Sequence, residues 1–275
     1  MKTVLQILVI LIIGMLMTNC DSNPKSPSKN EGEWKLVWQD DFNYSGLPDS
    51  TKWDYDTEGN SAGWGNNEAQ HYTKMDKDNA WVEDGKLKIT ARKEKFEGKE
   101  FTSARLMSRV AWQYGKIEVR AKLPEARGTW SAIWMMPGGW SFNDGNWPDI
   151  GEIDIMEHVG HDLGVIHASA HSKDYQWQKN SQKTNTVPIS KVHEQFHTYK
   201  VEWSPEVLKF YVDDQLYLTY ENEGLGESKW PYDKPFYLLL NVAVGGAWGN
   251  VQGIDEQTFP QVMEVEEVKV FQLKN

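Results

Sequence analysis

The sequence predicts an all-β protein, folded as an antiparallel sandwich or barrel. From Trp34 onward, apolar residues alternate with polar ones in short runs, which is the period of a β-strand. Clusters of Gly, Asn and Asp separate these runs, as turns separate strands. No stretch carries the i, i+3, i+4, i+7 apolar stripe of a helix of normal length. Many strands without intervening helices are typical of antiparallel folds. The chain shows no internal repeat and no second composition regime, so we expect one domain.

The predicted strands follow these runs in chain order. They are Trp34–Gln39, Lys86–Lys93, Gly115–Leu123, Trp130–Met136, Asp149–Val159, Val165–His171, Phe196–Trp203, Val207–Tyr220, Phe236–Val244 and Val262–Leu273. Glu83-Asp84-Gly85 and Asp213-Asp214 are predicted hairpin turns. The apolar parity slips once between Val265 and Val268, which predicts a β-bulge there.

Composition excludes several classes of protein. The chain has 275 residues, and 40 acidic against 29 basic side chains give a formal charge of -11. Nucleic acid is therefore a poor partner, because its phosphates require clusters of Lys and Arg. A single cysteine excludes disulfide scaffolds and cysteine-rich zinc sites. The 14 tryptophans instead favour a surface on which flat apolar faces stack.

The amino terminus has the pattern of an export signal. Lys2 precedes the apolar run Ile7–Met17, which is too short to cross a bilayer and reads as a secretory h-region. We predict a signal peptide over residues 1–19. The segment Leu16-Met17-Thr18-Asn19-Cys20 resembles a bacterial lipoprotein signal, in which the cysteine is lipidated. Plain cleavage nearby is the alternative.

The lipoprotein resemblance implies an exported protein, anchored through Cys20 to the bacterial outer membrane or cell surface. A secreted or periplasmic protein is the alternative. Residues 20–32 are polar and contain prolines, so we predict a flexible linker. Residues 33–275 then form the β-sandwich domain.

The chemical signal is an acidic motif, Gly151-Glu152-Ile153-Asp154-Ile155-Met156-Glu157. Glu152 and Asp154 share one face of a strand, while strict alternation would aim Glu157 into the core. A lone buried carboxylate is very costly. A β-bulge near Ile155–Met156 would return Glu157 to the acidic face. The motif therefore predicts three carboxylates on one face of a bulged strand.

Rows of carboxylates repel one another, so they are uncommon without a metal or a chemical task. Hydrolysis of a glycosidic bond is such a task, because it needs one carboxylate as nucleophile and one carboxylic acid as proton donor. Neighbouring negative charges raise the pKa of the donor and keep it protonated near neutral pH. The motif therefore favours a glycosidase.

This motif resembles the signature of glycoside hydrolase family 16, in its laminarinase-like branch, whose strand contains the bulge. The resemblance extends in order from about Trp34 to the end of the chain. The segments that carry it are Leu36–Phe42, Leu47–Trp53, Gly63–Glu68, Thr102–Arg105, Tyr114–Glu118, Gly128–Met135, Phe196–Tyr199 and Phe236–Gly246.

The resemblance implies a concanavalin-like β-jelly-roll sandwich of two antiparallel sheets with a concave substrate cleft. It implies retaining endo-hydrolysis of β-1,3-glucan (laminarin), of mixed-linkage β-1,3/1,4-glucan, or of both. Glu152 would be the nucleophile, Glu157 the general acid/base, and Asp154 would tune the nucleophile. Retention implies carboxyl groups roughly 5–5.5 Å apart. No cofactor is implied for catalysis, and we expect a monomer.

Strand parity and the resemblance together suggest where the glucan binds. Parity puts Trp130 and Trp134 on one face of their strand. For each residue in the list of candidates that follows, packing within the fold is the alternative to contact with sugar. The candidate substrate-binding residues are Trp134, Trp130, Asn67, Arg105, His171 and Trp248. Trp140 and Trp147, in a Gly- and Asn-rich loop, are candidates for the cleft edge.

The sequence departs from the branch at Asp41, which stands where Glu is usual, and at Glu266-Glu267, which stands where Asp-Tyr is usual. In the family, the Asp here often helps to bind a structural calcium. Glu266 offers an oxygen ligand in its place, so a calcium near Asp41 and Glu266 is one expectation.

Two rival interpretations remain open at this stage. A lectin-like module would have the same sandwich and aromatic groove without catalysis, but binding alone requires neither Glu152 nor Glu157. Agarases and carrageenases share the bulged motif, although sulfated substrates would favour a basic cleft. Metal catalysis has little support, because the histidines lack a His-Glu-x-x-His spacing.

Overall fold

Seventeen β-strands carry the fold of residues 32–274, the part of the chain that our computed structural model describes. From Glu33 onward, these residues form one compact unit. The predictions for the signal peptide and for Cys20 lie outside the described residues. Within residues 32–274, no helix is both long and apolar enough to cross a membrane.

The strands alternate with short turns along the chain. In order they are β1 (Trp34–Asp40), β2 (Trp53–Tyr55), β3 (Gln70–Tyr72), β4 (Ala80–Glu83), β5 (Lys86–Phe96), β6 (Lys99–Ser103), β7 (Arg105–Trp112), β8 (Gly115–Lys122), β9 (Thr129–Pro137), β10 (Glu152–Val159), β11 (Val165–His171), β12 (Lys183–Pro188), β13 (His197–Trp203), β14 (Val207–Val212), β15 (Gln215–Glu221), β16 (Phe236–Val244) and β17 (Gln261–Leu273). One short helix, α1 (Gly246–Gly249), follows β16. Single 3-10 turns lie at Asn60–Gly65, Phe142–Asp144, Trp177–Lys179 and Glu256–Thr258.

The strands form two sheets, which confirms the predicted all-β jelly-roll sandwich. The ten-stranded sheet runs β15-β14-β13-β8-β17-β5-β6-β3, with β1 on β17 and β4 on β5. The seven-stranded sheet runs β12-β11-β10-β9-β16-β7-β2. All pairs are antiparallel except β3 with β6, which is parallel. The seven-stranded sheet carries the carboxylates, near its centre.

The core lies between the sheets and follows from strand parity. Ile117, Val119 and Ala121 of β8 are fully buried, as the alternation predicts. Ile133 and Met135 of β9 are buried as well. Burying apolar side chains from both inner faces is the main force that holds the sheets together.

The strand predictions are largely confirmed, with differences at some ends. Val165–His171 and Phe236–Val244 match β11 and β16. The predicted hairpin turn at Asp213-Asp214 is confirmed, and it divides Val207–Tyr220 into β14 and β15. The predicted strand from Asp149 was too long, because a turn ending at Gly151, with φ 88°, precedes β10. The structure adds six strands to the runs named from the sequence: β2, β3, β4, β6, β7 and β12.

The second predicted bulge is confirmed, and the calcium expected near Asp41 and Glu266 stays a prediction. The register of β17 on β8 shifts between Val265 and Glu267. Glu266 Oε2 lies 2.7 Å from Arg120 Nε, so a guanidinium already neutralises this carboxylate. Asp41 is exposed and accepts a hydrogen bond from the backbone N–H of Asn43, 3.4 Å away. Among residues 32–274, neither acid belongs to a group of three metal-ligating side chains.

Candidate active site

The open face of the seven-stranded sheet lines a cavity of about 680 Å³. Side chains from β7, β9, β10, β11, β12 and β16 reach it, together with α1 and the loops around the sheet. Half of the 14 tryptophans of the chain line this cavity. They are Trp64, Trp130, Trp134, Trp140, Trp147, Trp177 and Trp248.

The predicted bulge in β10 is confirmed and brings all three acids into the cavity. Ile155 and Met156 are consecutive, yet both are fully buried on the core side. The register with β11 accordingly shifts between Asp154 and Glu157. Glu152, Asp154 and Glu157 therefore all line the cavity.

Glu152 and Glu157 each accept a hydrogen bond from one tryptophan. Trp147 Nε1 donates to Glu152 Oε2 over 2.7 Å. Trp130 Nε1 donates to Glu157 Oε1 over 3.0 Å. An indole has one donor and no acceptor, so it fixes a carboxylate oxygen without offering a proton acceptor. The two indoles thus orient the two carboxyl groups.

Asp154 lies beside His171, which is the register partner of Glu152 on β11. His171 Nε2 lies 3.2 Å from Asp154 Oδ2, and both side chains are almost fully buried. Donor atoms of Glu152, Asp154 and His171 lie within 4.8 Å of one another, the only such group among residues 32–274. These three residues are therefore where a metal ion could bind.

Burial raises the pKa of all three carboxyl groups. The pKa of Glu152 rises to about 8, first through burial and then through the negative charge of Asp154. The pKa of Glu157 rises to about 7, again mainly through burial. Burial and the charge of Glu157 raise the pKa of Asp154 as well. The group therefore retains protons near neutral pH, which keeps a proton donor available but leaves the Glu152 carboxylate, the form that a nucleophile needs, as the minor species.

Arg105 lies in the cavity floor between two aromatic rings. Its guanidinium carbon is 4.0 Å from the centre of the Trp64 ring and 4.5 Å from that of Trp134. Its Nε lies 3.0 Å from Asp56 Oδ2, and both side chains are buried. Stacked and paired in this way, Arg105 supports Trp134 as well as lining the cavity.

A hydrogen-bonded chain continues from Trp134 into the floor. Trp134 Nε1 donates to Asn241 Oδ1 over 2.8 Å, and Asn241 Nδ2 donates to the Tyr72 hydroxyl over 3.1 Å. Next to this chain, a separate hydrogen bond runs from Gln70 Nε2 to Glu68 Oε2 over 2.6 Å. Asn241 is the one amide among the residues of β16, so the sequence pattern marks it as unusual without assigning it a role.

Five of the six candidate substrate-binding residues line the cavity, and Asn67 does not. Trp130, Trp134, Arg105, His171 and Trp248 are in the lining. Asn67 is exposed, with φ 58° in the turn after the 3-10 segment, and its neighbour Asn66 lines the cavity instead. The structure thus places Asn66, rather than Asn67, in the lining, and sugar contact by Asn67 stays a prediction.

Sequence reasoning did not assign several cavity residues. Trp140 and Trp147 lie in the lining, as proposed for the cleft edge, but the bond from Trp147 to Glu152 was not foreseen. His167 packs against Trp248 with ring centres 4.7 Å apart. His167 lies four residues before His171 on β11 and so shares its strand face, which is the signal in the sequence that could have found it.

A β-sandwich whose open face presents two indole-bound glutamates with an aspartate between them defines a glycoside hydrolase. The particular family follows from comparison with known proteins. The model of the glycosyl hydrolases family 16 matches residues 67–260, and the chain belongs to this family. Its chemistry uses two carboxyl groups and no catalytic cofactor.

Three relatives show how far the similarity extends. The chain is 46% identical over 271 residues to a β-glucanase of Rhodothermus marinus, covering 96% of this chain and 92% of the relative. The laminarinase structure from Rhodothermus marinus superposes with a TM-score of 0.84 at 45% identity, covering 89% of this chain and all of that chain. A mutant of a non-specific endo-β-1,3(4)-glucanase, co-crystallized with 1,3-β-D-cellotriosyl-glucose, superposes with a TM-score of 0.82 at 43% identity, covering 87% and 95%.

Proposed function

We propose that the protein is a retaining endo-hydrolase of β-1,3-glucan, of mixed-linkage β-1,3/1,4-glucan, or of both. The observation that carries this proposal is the bulge of β10, which aims Glu152 and Glu157 into one tryptophan-lined cavity. The relatives named a β-glucanase, a laminarinase and an endo-β-1,3(4)-glucanase support the choice of substrate. Stacking tryptophans suit the apolar faces of glucose units.

In the first step, the Glu152 carboxylate attacks the anomeric carbon while Glu157 donates its proton to the departing glycosidic oxygen. This forms a covalent glycosyl-enzyme and releases one part of the glucan. In the second step, Glu157 takes a proton from water, and the resulting hydroxide displaces Glu152 from the anomeric carbon. The two inversions leave the configuration retained.

Asp154 is proposed to position Glu152 rather than to react. It lies between the glutamates on the same strand face, and His171 holds it from β11 at 3.2 Å. A negative Asp154 disfavours a second charge on Glu152, and its hydrogen bonding restricts the rotamers of Glu152. Asp154 thereby tunes when the nucleophile ionises.

The proposal is tested by measuring reducing sugars released from laminarin and barley β-glucan. We expect wild type to cleave at least one of them, and Glu152→Ser and Glu157→Gln to lose about 10³-fold or more in kcat with the fold intact. Glu100→Gln, an exposed glutamate outside the cavity, is the matched control and should keep wild-type kcat. Binding of glucan without any hydrolysis by wild type would indicate a lectin-like module instead.

We also propose that residues 1–19 are a signal peptide and that Cys20 is lipidated. Residues 20–32 would then link the anchor to the catalytic domain of residues 33–275, which acts as a monomer at the outer membrane or cell surface. The apolar run before Cys20 supports this. The test is Cys20→Ser in a bacterial host, which should move the protein from the membrane fraction to the soluble exported fraction. An unchanged distribution would contradict lipidation.

A further inference from the structure

One cavity tryptophan differs from the other six. Trp177 is 50% exposed, whereas the other six are buried or half-buried. Among residues 32–274, no aromatic ring packs against the Trp177 ring. An exposed indole costs free energy in water and does not contribute to the core here. It is therefore available to bind something flat and partly apolar.

Trp177 lies at one end of the cavity, on the loop that joins β11 to the edge strand β12. The floor residues Asn241 and Arg105 are on β16 and β7, at the other side of β10. Neighbouring strands are about 4.8 Å apart, so β12 is about 10 Å from the catalytic strand. A sugar unit over Trp177 is therefore not the unit attacked by Glu152.

The surroundings of Trp177 have the polar groups that sugar hydroxyls require. Gln178, Gln182, Thr184 and Thr186 line the same end of the cavity. Amide and hydroxyl side chains both donate and accept hydrogen bonds, as sugar hydroxyls do. None of these four residues carries a charge, which suits a neutral glucan.

The loop that carries Trp177 is fastened to β15 and its neighbourhood. The Tyr175 hydroxyl donates to Glu223 over 2.8 Å, and Lys183 Nζ lies 2.7 Å from the same carboxylate. Lys183 also lies 4.0 Å over the Tyr175 ring. These contacts hold the loop two residues before Trp177, so the backbone that carries the indole is positioned before any ligand binds.

A second set of contacts ties the same loop to the turn that precedes the catalytic strand β10. Lys173 Nζ lies 2.9 Å from Asp149 Oδ2, three residues before Glu152. Ser181 Oγ donates to the Asp174 carbonyl over 2.9 Å, closing the loop on itself. A preorganised platform loses little conformational entropy when a ligand binds, which favours affinity.

We infer that Trp177, with the polar side chains around it, forms a sugar-binding subsite on the opposite side of the carboxylates from the Arg105–Asn241 floor. This inference rests on the proposed glucan hydrolysis. The subsite takes one glucose unit of the substrate chain, stacked on the indole. It makes turnover favour chains long enough to reach from the floor across β10 to β12.

The test compares Trp177→Ala with wild type on a series from the shortest laminari-oligosaccharide that wild type cleaves up to laminarin. We expect kcat/KM on the long substrates to fall about fivefold to tenfold, through KM, and kcat/KM on the shortest substrate to stay unchanged. Trp177→Phe should recover most of the loss, because it keeps a ring. Trp34→Ala, a half-buried tryptophan on β1 outside the cavity, is the matched control and should show no dependence on chain length.

Several outcomes would overturn the inference. Wild-type kcat/KM of Trp177→Ala on laminarin would show that no sugar stacks there. An equal loss on the shortest and longest substrates would show that Trp177 only supports the fold. If wild type itself hydrolyses none of these glucans, the proposed function fails, which is a different result from either of these.

Discussion

At the scale of single residues, the distinctive feature is the pairing of each glutamate with its own indole. Trp147 donates to Glu152 and Trp130 donates to Glu157, at 2.7 and 3.0 Å. A hydrogen bond to a carboxylate stabilises its charged form and lowers its pKa, which opposes the effect of burial. The two tryptophans therefore act on the protonation of the site as well as on its shape.

Replacing either tryptophan should therefore move a different limb of the pH profile. In Trp147→Phe the pKa of Glu152 rises, so the acidic limb of kcat/KM moves to higher pH and activity on that limb falls about tenfold. In Trp130→Phe the pKa of Glu157 rises, so Glu157 stays protonated to higher pH and the alkaline limb of kcat/KM moves to higher pH. The measurement is kcat/KM on laminarin across pH. Movement of the same limb in both variants would contradict the assigned roles.

At the scale of the element, the bulge of β10 both fills part of the core and sets the direction of Glu157. Ile155 and Met156 both enter the core, and Glu157 thereby returns to the cavity face. The extra residue of the bulge is therefore packed into the core and does not form a loop. Its apolar side chain contributes to stability, and the one-residue insertion into the strand turns Glu157 to the cavity face.

Substitutions at Met156 should therefore change stability more than chemistry. Met156→Ala leaves a cavity in the core and should lower the free energy of unfolding by about 2–5 kcal/mol. Met156→Leu nearly conserves volume and should cost less than about 1.5 kcal/mol. Both keep the residue count of the bulge, so kcat on laminarin should stay within a few-fold of wild type. Urea denaturation together with kcat provides the check, and an alanine variant as stable as wild type would disprove the packing role.

The bulge also shows what the sequence could and could not predict. The conflict between strict alternation and a buried Glu157 was visible in the motif itself. The bond from Trp147 to Glu152 was not, because its loop has no periodicity that fixes a path. The sequence could not show that Asn66 rather than Asn67 lines the cavity, since the backbone angle of that turn decides which asparagine faces inward. The edge strand β12 was missed because its segment Lys183–Pro188 is mostly polar.

At the scale of the whole molecule, the buried carboxyl group of Glu152 lowers the free energy of unfolding at high pH. The pKa of Glu152 is about 8 in the folded protein, against an ordinary value of 4.5. Between these pH values the unfolded chain releases a proton that the folded protein keeps. The free energy of unfolding therefore decreases as pH rises through this window. Below pH 4.5 both states hold the proton and the effect disappears.

Removing this carboxyl group should therefore stabilise the protein at high pH only. At pH 8, Glu152→Gln should be more stable than wild type by on the order of 2–4 kcal/mol. That corresponds to a rise in Tm of about 5–10 °C for a domain of this size. At pH 4.5 the two melting temperatures should nearly coincide. Glu100→Gln, on the exposed surface, should stay within about 0.5 kcal/mol of wild type at both pH values. A destabilised Glu152→Gln at pH 8 would contradict the sign of this effect.

The concentration of seven tryptophans in one cavity has an optical consequence. Indole emission depends on how much water and which polar groups surround the ring. A glucan in the cavity would change both for half of the tryptophans of the chain. The remaining seven, away from the cavity, supply a steady background within the same molecule. The catalytically silent Glu157→Gln protein would therefore report occupancy of its own cleft by intrinsic fluorescence, without a label.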